Sequence, residues 1–145
     1  METRNYEFLS LVEEDEGPYF SKSEKPGTFE NLKAWQYGHQ FVLEVYRLTA
    51  KFPMEERFGL TNQFRRAAVS IAANIAEGTG KSSIKDTIRF LMISRGSIEE
   101  CQYFLILSRD LEIITLLEFQ KLKEVLDNTG KLLNGLIKSL EKKNS

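Results

Sequence analysis

The sequence predicts an all-α fold, an antiparallel up-down-up-down four-helix bundle. Three observations carry that expectation. From about residue 29 onward, apolar residues recur at steps of three and four, the period of a helix face. No stretch shows the strict alternation of a half-buried strand. The breaks between periodic segments are short, which favours antiparallel neighbours.

The first helix is expected over residues 29–51, stopping before Pro53. Ala34, Gly38, Phe41, Val45, Leu48 and Phe52 form one stripe, with Trp35, His39, Val42, Tyr46 and Thr49 beside it. So wide a face predicts burial on more than one side. The second helix should begin between Pro53 and Arg57, where proline suits a first turn, and end at Gly78 as a left-handed terminator. After the loop "GTGKSS", Ser83 with Asp86 reads as a capping box opening a third helix to about Leu111. Within it, Gly96 removes a side chain where another backbone is expected to come near. Thr115 with Glu118 caps a fourth helix. There Thr115, Phe119, Leu122, Leu126, Thr129, Leu133, Leu136 and Leu140 keep the rhythm to the end.

The chain has 145 residues, 41% hydrophobic and 28% charged, a composition that fits one globular core and excludes collagen-like and disulfide-rich classes. The beginning lacks a signal-peptide pattern and no run is long and apolar enough to span a bilayer, so a cytoplasmic protein without membrane contact is expected. Cys101 is the sole cysteine, which leaves no intramolecular disulfide or thiolate cluster. The net charge of −1 is unevenly spread. Residues 1–28 hold seven acidic side chains (Glu2, Glu7, Glu13, Glu14, Asp15, Glu16, Glu24) and three basic ones (Arg4, Lys22, Lys25), giving −4, and the remaining 17 basic and 14 acidic give +3. The Gly- and Pro-containing stretch "EGPYFSKSEKPGTFE" reads as a linker. Residues 1–28 are therefore expected to be an acidic extension and 29–145 the bundle. The Tyr6–Glu16 patch, apolar and acidic together, reads either as a disordered tail or as a short docking segment.

Enzyme chemistry finds little support. A di-iron bundle needs paired Glu-x-x-His motifs, and His39 is the sole histidine. A Ser-His-Asp or Cys-His arrangement would require His39 to meet Ser97 or Cys101. The Arg-then-His motif of helical HEPN-type RNases is absent, since the one arginine before His39 is Arg4. "GTGKSS" departs from a phosphate loop in spacing and follows a helix where that motif needs a strand. The expectation is no catalytic residue, no metal and no cofactor.

The polar residues of the second helix carry more information. Gln63, Arg66, Ser70, Asn74 and Glu77 share one face among small alanines. The third helix offers Arg95, Ser97, Glu99 and Glu100 as partners. Because a buried polar group left unsatisfied costs roughly 1–3 kcal/mol, Gln63, Arg66, Ser70, Asn74, Glu77, Ser97 and Glu100 are expected to form a buried network that fixes helix register or an oligomer interface, with a ligand site as the alternative. Lys81, Lys85 and Arg89 step by four and make a basic stripe. Lys121, Lys123, Lys131, Lys138, Lys142 and Lys143 offer a second surface on the last helix.

The stretches "LKAWQ", "FP.EE..GL.NQFRRAAVSIAANIAEG.G" and "F....RGSIEE" resemble the four-helix-bundle proteins encoded in intervening sequences of bacterial 23S ribosomal RNA genes. The ordered series Pro53, Glu56, Leu60, Gln63, Arg65, Arg66, Ser70, Asn74, Glu77, Gly78, Gly96, Ser97 and Glu100 carries the likeness. The resemblance implies a homopentamer, ring- or barrel-shaped, without known enzymatic activity. The same fold occurs in Avd, the accessory protein of diversity-generating retroelements, which binds nucleic acid and a reverse transcriptase. The expected function is thus an oligomeric accessory protein binding structured RNA or DNA through Lys81, Lys85, Arg89 and Arg65, beside a reverse transcriptase or other protein. The alternative is a protein-interaction scaffold with no nucleic-acid role. Arg65 and Arg66 point 100° apart on a helix. One is expected to pair with Glu77, Glu99 or Glu100, within the bundle or across the pentamer. Burial of that pair through Arg66 would make Arg66→Ala cost roughly 3–5 kcal/mol.

Overall fold

The computed structural model describes residues 28–144. Apart from Thr28, the expected acidic extension and its Tyr6–Glu16 patch lie outside the described residues. Four α-helices follow one another: α1 (Lys33–Thr49), α2 (Leu60–Thr79), α3 (Ile84–Asp110) and α4 (Leu116–Asn144). Short 3-10 turns at Phe29–Asn31 and Met54–Glu56 precede α1 and α2.

Cross-helix contacts fix the topology. Between α2 and α3, Gly78 meets Thr87 and Ile71 meets Ser94, so one index falls as the other rises. Arg65 reaches Thr49, while Gly38 sits against Ile71 and Ile75, which makes α1 antiparallel to α2. Lys51 pairs with Glu118 and Gly38 meets Thr129, so α4 returns alongside α1. Arg95 to Asn134 and Arg109 over Phe119 set α4 antiparallel to α3. The result is the expected up-down-up-down bundle, closed by α1 against α4. Phe41, Phe64, Ile71, Leu91, Leu105, Leu126 and Leu133 are fully buried along its axis, and burying a side chain of this size stabilises by about 1.5–3 kcal/mol.

The helix ends show where the sequence was read correctly and where it was not. Ser83 Oγ accepts from the Asp86 N–H at 3.1 Å. Thr115 and Glu118 form a reciprocal box: Thr115 N–H donates to Glu118 Oε1 at 2.9 Å and Glu118 N–H to Thr115 Oγ1 at 3.1 Å. The expected start of α1 at residue 29 is corrected to Lys33, because buried Leu32 is extended (φ −82°, ψ 126°) and divides the helix from the 3-10 turn. Gln36 Nε2 donates to Glu30 O at 2.9 Å and ties that turn down. α2 begins at Leu60 and not at Pro53–Arg57; Gly59 leaves the helical region and Glu56 Oε2 receives the Leu60 N–H at 3.0 Å.

Gly78 does not take the role expected of it, and a glutamate elsewhere supplies a left-handed terminator. Gly78 lies inside α2, which runs on to Thr79. A Cβ there would stand 3.1 Å from Phe90 Cβ and 3.2 Å from Thr87 O, so glycine permits a close helix approach and ends nothing. Gly96 is exposed, and among the described residues no other backbone comes within 4 Å of a Cβ placed on it. The left-handed terminator is Glu112, at φ 59°. Its N–H donates to Arg109 O and that of Ile113 to Ser108 O, both at 2.9 Å, the paired bonds of a Schellman motif.

Replacing Gly78 by Ala should therefore lower stability in a denaturant series despite alanine's better helix propensity, since neither backbone-anchored neighbour can yield cheaply. Glu112→Gly should raise it by about 1 kcal/mol by relieving the left-handed residue. The Glu118 carboxyl is held below its ordinary pKa, first by the Thr115 N–H and then by Lys51. Its contribution is complete above the unfolded carboxyl value, about 4.3, and fades as pH falls through the lowered folded value. The stability gap between the native chain and Glu118→Gln, followed by thermal unfolding, should accordingly close with acidification.

Candidate functional site

The antiparallel order gathers the start of α1, the close of α2, the start of α3 and the close of α4 at one end of the bundle. Lys33, Lys81, Lys85, Arg89, Lys138, Lys142 and Lys143 lie there against Glu30, Glu77, Asp86 and Glu141: seven basic and four acidic, +3. At the opposite end, Arg47, Lys51, Arg57, Arg65, Arg109 and Lys121 stand against Glu44, Glu55, Glu56, Asp110, Glu112 and Glu118, which balance. The pairing also differs. Lys51–Glu118 at 2.9 Å, Arg109–Asp110 at 3.0 Å and Arg47–Glu44 at 3.2 Å are close and Lys121–Glu44 is longer at 3.6 Å, whereas Lys81–Glu77 and Arg89–Asp86 are loose at 3.9 and 3.8 Å.

Within the basic end, Lys81 and Arg89 meet on one aromatic ring, and Lys85 lies between them in sequence. Lys81 belongs to the α2–α3 loop, and Lys85 and Arg89 to α3. Phe90, which sequence reasoning missed, organises them: Lys81 Nζ and the Arg89 guanidinium lie 4.8 and 4.7 Å from its ring centroid. Two cations held on one aromatic ring lose less freedom on meeting an anion than two unrestrained side chains would. Exposed Lys85 makes no ion pair among the described residues.

Arg65 is not part of this cluster. It lies toward the other end, where its Nε donates to Thr49 Oγ1 at 2.7 Å and its guanidinium stacks 4.6 Å from the Tyr46 ring centroid. It ties α2 to α1.

The polar stripe of α2 divides. Ser97 Oγ donates to Ser70 Oγ at 2.8 Å, and Asn74 Nδ2 donates to Ser70 Oγ at 2.9 Å and to Ser70 O at 2.8 Å. This triad joins α2 to α3. Gln63, Arg66, Glu77 and Glu100 are exposed, so burial of the whole stripe is corrected. Gln63, Arg66, Ser70 and Glu100, with Asn62 and Ala67, line an open depression of about 280 Å³. Arg66 makes no ion pair among the described residues, because its side chain turns outward where solvent satisfies it. Nearby, Met92, Ile93 and Tyr103 are 41, 45 and 58% exposed on α3 around Gly96.

A second depression, about 320 Å³ and almost wholly apolar, runs between α1 and α2. Phe29, Trp35, His39, Val42, Val69, Ala72, Ala73 and Ala76 line it. Trp35 stacks on His39 with centroids 4.9 Å apart and planes 9° from parallel, and Phe29 meets Trp35 edge-on at 5.1 Å. Burial, and then the charge of Glu100, push the Cys101 thiol pKa strongly upward, which keeps it protonated. Among the described residues no three His, Cys, Asp or Glu side chains are grouped to hold a metal ion, and no helix is long and apolar enough to cross a membrane.

The two arginines should respond differently to truncation. Arg65→Ala should cost about 1.5–3 kcal/mol, the range for a hydrogen bond to a charged group. Arg66→Ala should stay within about 0.5 kcal/mol, as for other surface substitutions; equilibrium unfolding of both variants checks the contrast.

Comparisons with known proteins agree with this architecture. A crystal structure of a protein of unknown function from the S23 ribosomal protein family, from Bacteroides thetaiotaomicron, superposes with a TM-score of 0.68 at 26% identity, covering 72% of this chain and 98% of that one. No curated protein matches. The model of the 23S rRNA-intervening sequence protein family matches residues 30–135, which take in α1, α2, α3 and the greater part of α4, and the chain belongs to that family.

Proposed function

We propose that the protein is a non-enzymatic accessory factor that binds structured nucleic acid through the basic end of its bundle and acts as an oligomer. The observation that carries this reading is the concentration of loosely paired cations around Phe90, on an end at +3 while the opposite end is balanced. Phosphates dominate affinity for nucleic acid, and each one neutralised releases counterions. A cation whose protein partner is 3.8–3.9 Å away gives up little when it turns to a phosphate oxygen.

Oligomerisation supports the same reading. Met92, Ile93 and Tyr103 surround open Gly96, an apolar patch beside the polar depression at Arg66 and Glu100. Such a surface fits a second copy, and the family resemblance implies five. Repeating the basic end around a ring adds multivalence without new contacts. A partner enzyme, a reverse transcriptase among the candidates, would engage the assembled ring. The same apolar patch favours a second reading, a protein-interaction scaffold with no nucleic-acid role.

Fluorescence anisotropy with a structured RNA and a duplex DNA separates the two readings. Binding should weaken between about 50 and 200 mM salt with a slope near −0.9 per phosphate contacted. The combined Lys81→Glu, Lys85→Glu and Arg89→Glu variant should lose it. Failure of both ligands to bind at the lowest salt would favour the scaffold.

A further inference from the structure

The apolar groove between α1 and α2 takes no part in the nucleic-acid binding proposed above. Its walls are Trp35, His39 and Val42 from α1 and Val69, Ala73 and Ala76 from α2, with Val69 still 40% exposed. Apolar surface arranged as a concave groove favours an apolar occupant over water. Its mouth is Phe29, in contact with Trp35 and next to Thr28, where the described chain begins. Whatever precedes Thr28 is thus attached at the groove itself.

We propose that the Tyr6–Glu16 segment of this same chain docks in that groove. Phe8, Leu9, Leu11 and Val12 concentrate its apolar side chains within five residues, and Glu13, Glu14, Asp15 and Glu16 follow at once. The linker from Glu16 to Thr28 reaches about 40 Å when extended, at roughly 3.3–3.6 Å per residue. That exceeds the length of α2, roughly 30 Å at 1.5 Å per residue, so every part of the groove is within range. Charge favours the same placement. Residues 1–28 carry −4, and they are tethered at the end of the bundle that carries +3. Attachment in the same molecule raises the effective concentration to the millimolar range for a short flexible linker, so even a weak contact is occupied.

Trp35 is the sole tryptophan of the chain and lines the groove, so its emission reads occupancy directly. The full chain is compared with its Phe8→Asp, Leu11→Asp variant, with far-UV circular dichroism confirming that the bundle is intact. Docking predicts that the variant's emission moves to longer wavelength and that acrylamide quenches it more, by the same amount at every protein concentration. A nitroxide attached through Ser10→Cys should also broaden the Trp35 indole resonance; buried Cys101 stays unlabelled. Unchanged emission in the variant, or an indole resonance untouched by the label, would overturn the proposal. A shift that appears only on dilution would overturn it too, assigning the groove to a second copy. None of these readings depends on whether nucleic acid binds.

Discussion

The bundle depends on the seam between α2 and α3, where hydroxyl groups of one helix bond to the carbonyls of the other. Thr87 Oγ1 donates to Gly78 O at 2.8 Å and Ser94 Oγ to Ile71 O at 2.7 Å, both buried. Those carbonyls lie within helices, so the hydroxyls take up a second lone pair. The bonds are short because no side chain intervenes: Gly78 has none, and Ala67 and Ala68 keep the surrounding surface thin. Displacing either helix along the other would break both bonds. Thr87 Oγ1 keeps Ser83 O at 3.1 Å as a second acceptor, whereas Ser94 Oγ loses its bond to Ile71 O, so the seam favours one register. The level of α3 then fixes where Phe90 stands relative to Lys81, and hence the shape of the basic end.

Much of this was legible in the sequence, and the exceptions share a cause. Ser83 with Asp86 and Thr115 with Glu118 were readable because a capping box is completed by residues three apart. The buried stripe of α4 was readable because periodicity records one face directly. Gly78 was misread because glycine at a close approach and glycine at a terminus look alike in one dimension. Glu112 gave no signal at all: a Schellman motif normally announces itself by glycine, and here the two bonds from Glu112 and Ile113 hold a glutamate left-handed.

The polar stripe taught a similar lesson about the site. Its spacing was right and its burial was overstated, since a shared helix face does not say how far a neighbouring helix overlaps it. α3 covers Ser70 and Asn74 and leaves Gln63 and Arg66 open. Arg65 and Arg66, adjacent in sequence, consequently have unrelated environments: one bound to Thr49 and Tyr46, the other turned to solvent. Phe90 could not be singled out from the sequence because its role follows from the loop at Lys81 folding back over the first turns of α3.

Taken without residues 1–27, whose −4 opposes it at the basic end, the bundle is an electric dipole directed along its long axis. In the field of a polyanion such a body experiences a torque before contact, and rotates to lead with its positive pole. The search for a productive orientation is then partly complete at encounter, which shows itself in the association rate more than in the lifetime of the complex. The trailing pole, closed by tight pairs such as Lys51–Glu118, is turned outward by the same rotation.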